Sequence, residues 1–166
     1  MTSQRVLIAG AGLGGLRTAE ALRANGFEGE VLIFGDEEHA PYNRPPLSKE
    51  ALYGEISHEK LAFRVRSTAT DLQWRLSDPI TGADLDAHTI TLASGETIAY
   101  DALVAATGVS ARRLPIPGPP ATAAAGRHVI RTLDDALALR ASLRPGAPLA
   151  HRSLQREARW RARQLE

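Results

Sequence analysis

The chain has 166 residues, enough for one modest domain and too few for two full nucleotide-binding domains plus a substrate domain. Apolar residues make up 43% and charged residues 23%, which suits a folded globule with a core and argues against disorder. A net charge of +1 gives no global case for nucleic acid, and no stretch approaches the roughly 18 apolar residues of a membrane helix. There is no cysteine, so disulfides, thiolate metal sites, iron–sulfur ligation and thiol nucleophiles are excluded. Any redox chemistry must therefore belong to a bound organic cofactor. A reducing cytosol fits such a sequence, and the predicted location is cytoplasmic. The apolar run at 6–16 has the length of a signal-peptide core. Its glycines and the lack of a cleavage site make it a strand entering a turn instead.

The opening run Arg5-Val6-Leu7-Ile8-Ala9 predicts a strand buried on both faces. A glycine-rich turn follows, then helical spacing over 13–25, with Leu16, Ala19 and Leu22 inward and Arg17, Glu20 and Arg23 facing away. Asn25-Gly26 stops that helix, and residues 30–34 form a second strand. The result is a βαβ unit of parallel strands. Residues 39–52, with Pro41, Pro45 and Pro46, read as an ordered loop leading into one short helix that starts near Leu47. Short strands are predicted at 72–76, 80–85 and 88–93, and Ser94-Gly95 turns the chain into another at 97–100. Residues 101–106 form a buried strand closed by Thr107-Gly108, and a Pro-rich stretch at 114–120 leads away from it. Val129-Ile130 suggests a further short strand. Thr132 caps a helix running through Leu143, with Asp134 and Asp135 in its first turn and Pro145-Gly146 as its stop. No internal repeat is present. The fold class is α/β, a Rossmann-like parallel sheet with helices and an inserted antiparallel β-meander.

Gly10, Gly12 and Gly15 fit G-x-G-x-x-G between a strand and a helix. The first glycine allows the tight turn, the second lets backbone approach a diphosphate, and the third lets helix and strand pack closely. The free N–H groups at the helix start then face the phosphates. About 20 residues later, Asp36 and Glu37 end the second strand, where either could accept hydrogen bonds from an adenosine ribose and would repel a 2′-phosphate. Together these elements predict dinucleotide binding. A plain NAD-binding half would continue as βαβ. This chain instead inserts short strands before Ala106-Thr107-Gly108, whose small residues let backbone pass close to a ligand.

With the runs 6–15, Gly35-Asp36-Glu37, Pro41-Tyr42-Asn43-Arg44-Pro45-Pro46-Leu47-Ser48-Lys49, 100–108, 114–118 and 131–136, the sequence closely resembles the FAD-binding part of NADH-dependent ferredoxin reductases. These are the flavoprotein components of ring-hydroxylating dioxygenase and bacterial P450 electron-transfer chains. The resemblance covers nearly all of residues 4–146, and the run from Pro41 to Lys49 is its most specific part. It implies an FAD domain, incomplete relative to the family, with NADH as electron donor and a ferredoxin-type iron–sulfur protein as partner. It also implies that the backbone around Gly12, Leu13, Gly14 and Gly15 holds the diphosphate and that Asp36 takes the ribose. Arg44 would lie along the adenosine and phosphate side, Pro46 and Lys49 against the isoalloxazine, Thr107 and Gly108 beside flavin and diphosphate, and Arg131 at the phosphate. Lys49 there would favour an anionic reduced flavin.

Other polar residues read more plainly. Arg112 and Arg113 are solvated, and Trp74 and Tyr100 pack in the sheet. Asp134 and Asp135 favour the helix dipole. The five histidines lack ligand spacing, so no metal site is predicted. The domain boundary falls at 146. Residues 147–166 hold five arginines and two glutamic acids and depart from the family, as expected of a truncated or frame-shifted end. No strand is predicted there. An amphipathic basic helix would place Leu154, Ala158, Ala162 and Leu165 on one stripe, but a solvated helix or loose end is the plainer reading. Lacking a second glycine motif, such a chain is expected to hold FAD weakly and not to turn over NADH. The alternative is a non-catalytic remnant that binds a dinucleotide weakly or not at all.

Overall fold

Two apolar runs with side chains alternating between opposite faces set the architecture. Strands β1 (Arg5–Ala9) and β2 (Glu30–Phe34) pair in parallel, joined by helix α1 (Leu13–Ala24). The computed structural model describes residues 4–54, 56–112 and 126–144, with the backbone of two short strands at 148–151 and 161–164. Strands β3 (Gln73–Arg75) and β7 (Ala102–Ala105) complete a four-stranded parallel sheet of order β3-β2-β1-β7. Between them, β4 (Ile80–Asp84), β5 (Thr89–Leu92) and β6 (Thr97–Ala99) form the expected antiparallel meander.

The period of two along each strand feeds two cores. Val6, Ile8, Val31 and Ile33 pack with Ala19 of α1 and with Ala69 and Leu72. Leu7, Leu32 and Phe34 point to the other face and pack with Ile90, Leu92, Ile98 and Tyr100. The meander thus covers the face that α1 does not. A third cluster joins Tyr42, Leu47, Ala51 and Leu61 to Leu133 and Ala136 of α4 (Leu133–Ser142). The Thr132 hydroxyl accepts from the Asp135 amide, and the Asp135 carboxylate accepts from the amides of Thr132 and Arg131. Asp135 is therefore part of a capping box, as a first-turn acid should be.

Several expectations change. Residues 72–76 do not lead into the meander; their centre, β3, pairs in parallel with β2. The short helix after the Pro-rich loop is two pieces, a 3-10 turn at Pro45–Ser48 and α2 (Glu50–Tyr53), because Lys49 leaves helical geometry at φ −134°, ψ −100°. Val129 and Ile130 make no strand, since the chain there runs into the α4 cap. Between residues 58 and 72 lie only α3 (His58–Leu61) and a 3-10 turn at Ser67–Ala69. Strands β8 (Pro148–His151) and β9 (Arg161–Gln164) pair antiparallel where no strand was predicted. Four residues are too few to separate a strand from a helical spacing. The remainder of the predicted terminal helix, the Pro-rich stretch at 114–120, Arg113 and the Pro145-Gly146 stop lie outside the described residues.

Glu20 is the largest departure from the helical pattern. It was expected to face away, yet it is 1% exposed, the one buried charged residue among those described. Its carboxylate accepts from Arg17 Nη1 at 2.5 Å and from the backbone amide of Arg66 at 2.9 Å. Burial pushes this carboxyl up, but the Arg17 hydrogen bond, the Arg66 amide and both positive charges outweigh it, so it sits below the usual carboxylate range.

A carboxyl depressed in the folded state contributes stability that is present above its unfolded value, about 4.3, and lost as pH falls through its folded value. Urea midpoints should therefore drop as pH is lowered below about 4.3, and Glu20→Gln should be weaker at pH 7 with a flatter acid limb. Ile33→Ala, at a site with 0% exposure, should cost about 2–5 kcal/mol in the same urea measurement.

Candidate functional site

Strand order reverses at β1, because the chain passes to β2 on one side and later returns to β7 on the other. In open α/β sheets this opens a crevice at the carboxyl ends of the strands. Here it is a cleft of about 540 Å³. Its floor is held by three backbone hydrogen bonds: Gly10 to the Phe34 carbonyl at 2.8 Å, Ala106 to the Ala9 carbonyl at 2.8 Å, and Gly35 to the Arg75 carbonyl at 3.0 Å.

The glycines divide by what a side chain would meet. Gly10 has φ +120°, and a Cβ there would overlap the Ala106 carbonyl. At Gly15 a Cβ would overlap the Gly10 carbonyl, so helix and strand touch through backbone. At Gly35 it would come within 2.6 Å of Ala11 Cβ. At Gly12 a Cβ would meet nothing within 4 Å, so this position faces open cleft. Gly12 is also the N-cap of α1 and gives the helix no side-chain cap. The first amides of a twelve-residue helix are thus left for an anion.

Of the predicted residues, Gly10, Gly12, Leu13 and Gly14 line the cleft, as do Asp36, Glu37 and Arg44. Thr107, Gly108 and Arg131 close it on the β7 side. Gly15 lies beneath, buried. Pro46 and Lys49 are not part of this lining; Lys49 is exposed at the junction of the 3-10 turn and α2. A smaller hollow of about 270 Å³ adjoins it between Pro45, Leu47 and Ser48 on one side and Ile130 and Arg131 on the other.

The two acids at the end of β2 do different work. Asp36 is exposed on the cleft. Glu37 is engaged through both oxygens, accepting from Arg44 Nη2 at 2.5 Å and from the Tyr42 hydroxyl at 2.5 Å. Arg44 also donates to the Arg131 carbonyl at 2.7 Å and lies 5.1 Å from the Tyr42 ring centroid. The Tyr42 hydroxyl in turn accepts from the Leu133 amide at 2.8 Å. Burial, then the Glu37 carboxylate, pushes the Tyr42 phenol up, so it stays protonated and donates. The network joins the end of β2, the Pro-rich loop and the start of α4. At its rim, His39 Nε2 is 3.3 Å from Asp134 Oδ1 and 3.8 Å from Glu38 Oε1, with both carboxylates largely exposed.

The sequence model of a pyridine nucleotide-disulphide oxidoreductase family matches residues 4–157, eleven residues past the boundary drawn at 146. The chain belongs to that family. The p-cumate 2,3-dioxygenase system ferredoxin–NAD(+) reductase component of Pseudomonas putida is 43% identical over 150 residues, covering 88% of this chain and 36% of the relative. Rhodocoxin reductase of Rhodococcus erythropolis is 37% identical over 140 residues, covering 83% of this chain and 32% of the relative. The covalent putidaredoxin reductase–putidaredoxin complex superposes with a TM-score of 0.71 at 35% identity, covering 85% of this chain and 34% of that one. The chain spans about a third of the length of the curated relatives it matches. The family name includes a disulphide, and these 166 residues contain no cysteine.

Within this cleft, sequence reasoning missed Ala11, His39, Tyr42, Asn43, Pro45 and Phe63 as lining residues. Tyr42, Asn43 and Pro45 lie inside the specific run from Pro41 to Lys49, which was the available signal. Nothing in the sequence marks Phe63.

Tyr42→Phe should leave the buried Leu133 amide and one Glu37 oxygen without a partner, at a cost of about 1–3 kcal/mol. Urea unfolding measures the loss, and faster amide exchange at the start of α4 should accompany it.

Proposed function

We propose that this chain is the FAD-binding part of an NADH-dependent reductase that serves a ferredoxin-type iron–sulfur protein. The observation that carries the reading is the contrast between Gly12, where a Cβ has open space, and Gly10 and Gly15, where it has none. Two positions are closed to make the turn, and the third is bare toward uncapped helix amides. A diphosphate suits that place, since it accepts from several N–H groups and is favoured by the positive helix end.

The rest of the cleft fits an FAD-sized group. Asp36 is free to accept from a ribose 2′-hydroxyl, while Glu37 is already committed to Arg44 and Tyr42. Arg44 and Arg131 add positive charge around the phosphates. On the β7 side Thr107 presents a small side chain and Gly108 none, and Gly108 takes φ +68°. Arg131 Nη2 is 3.2 Å from where a Cβ on Gly108 would stand, so a bare backbone there leaves room for the guanidinium. Pro46 and Lys49 belong to the flavin end of the proposal, although neither lines the cleft or the smaller hollow. FAD supplies the chemistry that converts a two-electron hydride donor into single electrons for an iron–sulfur acceptor.

NADH as donor and the iron–sulfur partner are supported by relatives named as ferredoxin–NAD(+) reductase components. No helix of the described residues is long and apolar enough to cross a membrane. A cytoplasmic setting is part of the same proposal and rests on a sequence suited to a reducing compartment.

Titration of the purified chain with FAD, followed by flavin fluorescence, tests the reading. Gly12→Val should weaken binding by at least about tenfold while stability changes by no more than about 1 kcal/mol. Gly15→Val should instead prevent folding. Unchanged FAD binding in Gly12→Val, or no binding by the unmodified chain, would overturn the proposal; the second result would favour the non-catalytic remnant.

A further inference from the structure

We propose that Glu38, His39 and Asp134 hold one divalent metal ion of the zinc class, which clips the loop after β2 to the start of α4. The inference stands on side chains at the rim of the cleft and does not depend on what the cleft binds.

A joint fixed by the protein itself brings these groups together. The Tyr42 hydroxyl donates to Glu37 and accepts from the Leu133 amide, so one phenol oxygen ties the residue before Glu38 to the residue before Asp134. The neighbouring acids are taken, Glu37 by Arg44 and Tyr42 and Asp135 by the cap of α4. Glu38 and Asp134 are left largely exposed, and each has a carboxylate oxygen beside His39 Nε2, at 3.8 Å and 3.3 Å. The His39 ring is itself held in place. It stacks on His58 with centroids 5.2 Å apart and meets the Tyr42 ring edge-on at 6.1 Å. His58 is anchored through its own Nε2, which donates to the Ala40 carbonyl at 2.8 Å.

The spacing suits chelation better than a hydrogen bond. A charge-assisted hydrogen bond from imidazole to carboxylate spans about 2.7–2.9 Å. Ligand atoms about 2.0–2.1 Å from a tetrahedral zinc ion lie about 3.3 Å from one another. His39 Nε2 and Asp134 Oδ1 stand at that separation, and all three ligand atoms lie within 4.8 Å of one another. Glu38, whose side chain is largely exposed, closes the wider edge by rotation about its own bonds. As a bare ion pair between solvent-exposed carboxylates and an imidazole, the cluster would add little to stability. One imidazole with two carboxylates suits zinc, with a fourth position open to water, whereas Mg²⁺ and Ca²⁺ take about six or more oxygens. His39 and Asp134 are 95 residues apart, which is why the sequence shows no ligand spacing.

Calorimetric titration of the full chain with ZnCl₂, beside MgCl₂, tests the inference. Zn²⁺ should fill one tightest site per chain and raise the thermal midpoint by about 5 °C at saturation, while Mg²⁺ does neither. Asp134→Asn, at an exposed position outside the capping box, keeps the fold; it should weaken Zn²⁺ at least about tenfold and abolish the midpoint shift. His39→Ala should do the same, and Asp134→Asn decides should that variant not fold. In amide NMR, Zn²⁺ should move Glu38, His39 and Asp134 together. No uptake of Zn²⁺ by the unmodified chain would overturn the proposal. So would an affinity unchanged in Asp134→Asn, which would place the ion at another histidine. Mg²⁺ bound as tightly as Zn²⁺ would also overturn it, since that marks an unselective acidic surface.

Discussion

Backbone packed directly against backbone, with no side chain between, is the constraint on which the rest of this molecule depends. The Ala106 carbonyl occupies the space a Cβ on Gly10 would need, and the Gly10 carbonyl occupies the space a Cβ on Gly15 would need. Strands β1 and β7 and helix α1 thereby converge on one point. The convergence brings the start of α1 to the strand ends and leaves its amides facing outward at Gly12. Larger residues at these contacts would move the helix away and close no cleft. The small side chains at Ala9, Ala11, Ala105 and Ala106 around the same point extend this economy of bulk.

A second level of order comes from charge. The cleft walls come from segments far apart in sequence, and the apolar cluster of Tyr42, Leu47 and Leu61 with Leu133 and Ala136 is reinforced by polar contacts. Tyr42 and Arg44 bond to the Leu133 amide and the Arg131 carbonyl at the start of α4, and Glu37 holds both of them. Glu20 does the same on the opposite flank of α1. Both carboxylates have most of their acceptor capacity filled by the protein itself, whereas Asp36 is left to solvent or ligand. Acids of the same type thus divide into those that build the cleft and one available to what enters it.

Much of this was legible in the sequence because the signals were local. The βαβ unit, the glycine spacing, the meander and the Thr132 cap each lie within a short window whose period or capping chemistry is distinctive. Failures arose where a partner distant in sequence decides. A helical wheel puts Glu20 outside because it knows nothing of the Arg66 amide, 46 residues away. An alternating run at 72–76 announces a strand without saying which sheet takes it, and β2 supplied the edge. Glu37 and Asp36 are equivalent ribose acceptors until Arg44 and Tyr42 are seen to engage one of them. Phe63 carries no local signature, and its place in the cleft follows from anchors at Pro41 and Glu20.

Family membership rests on a match over 4–157 and agrees with the parallel sheet and its cleft. The claim at the centre of the account is that main-chain amides at the start of α1 receive a diphosphate. Backbone amide NMR on the isotope-labelled chain during addition of ADP addresses it residue by residue. The account predicts that the amides of Gly12, Leu13 and Gly14 shift most, saturating together with that of Asp36. Saturating shifts located elsewhere on the molecule, with those amides unmoved, would contradict it.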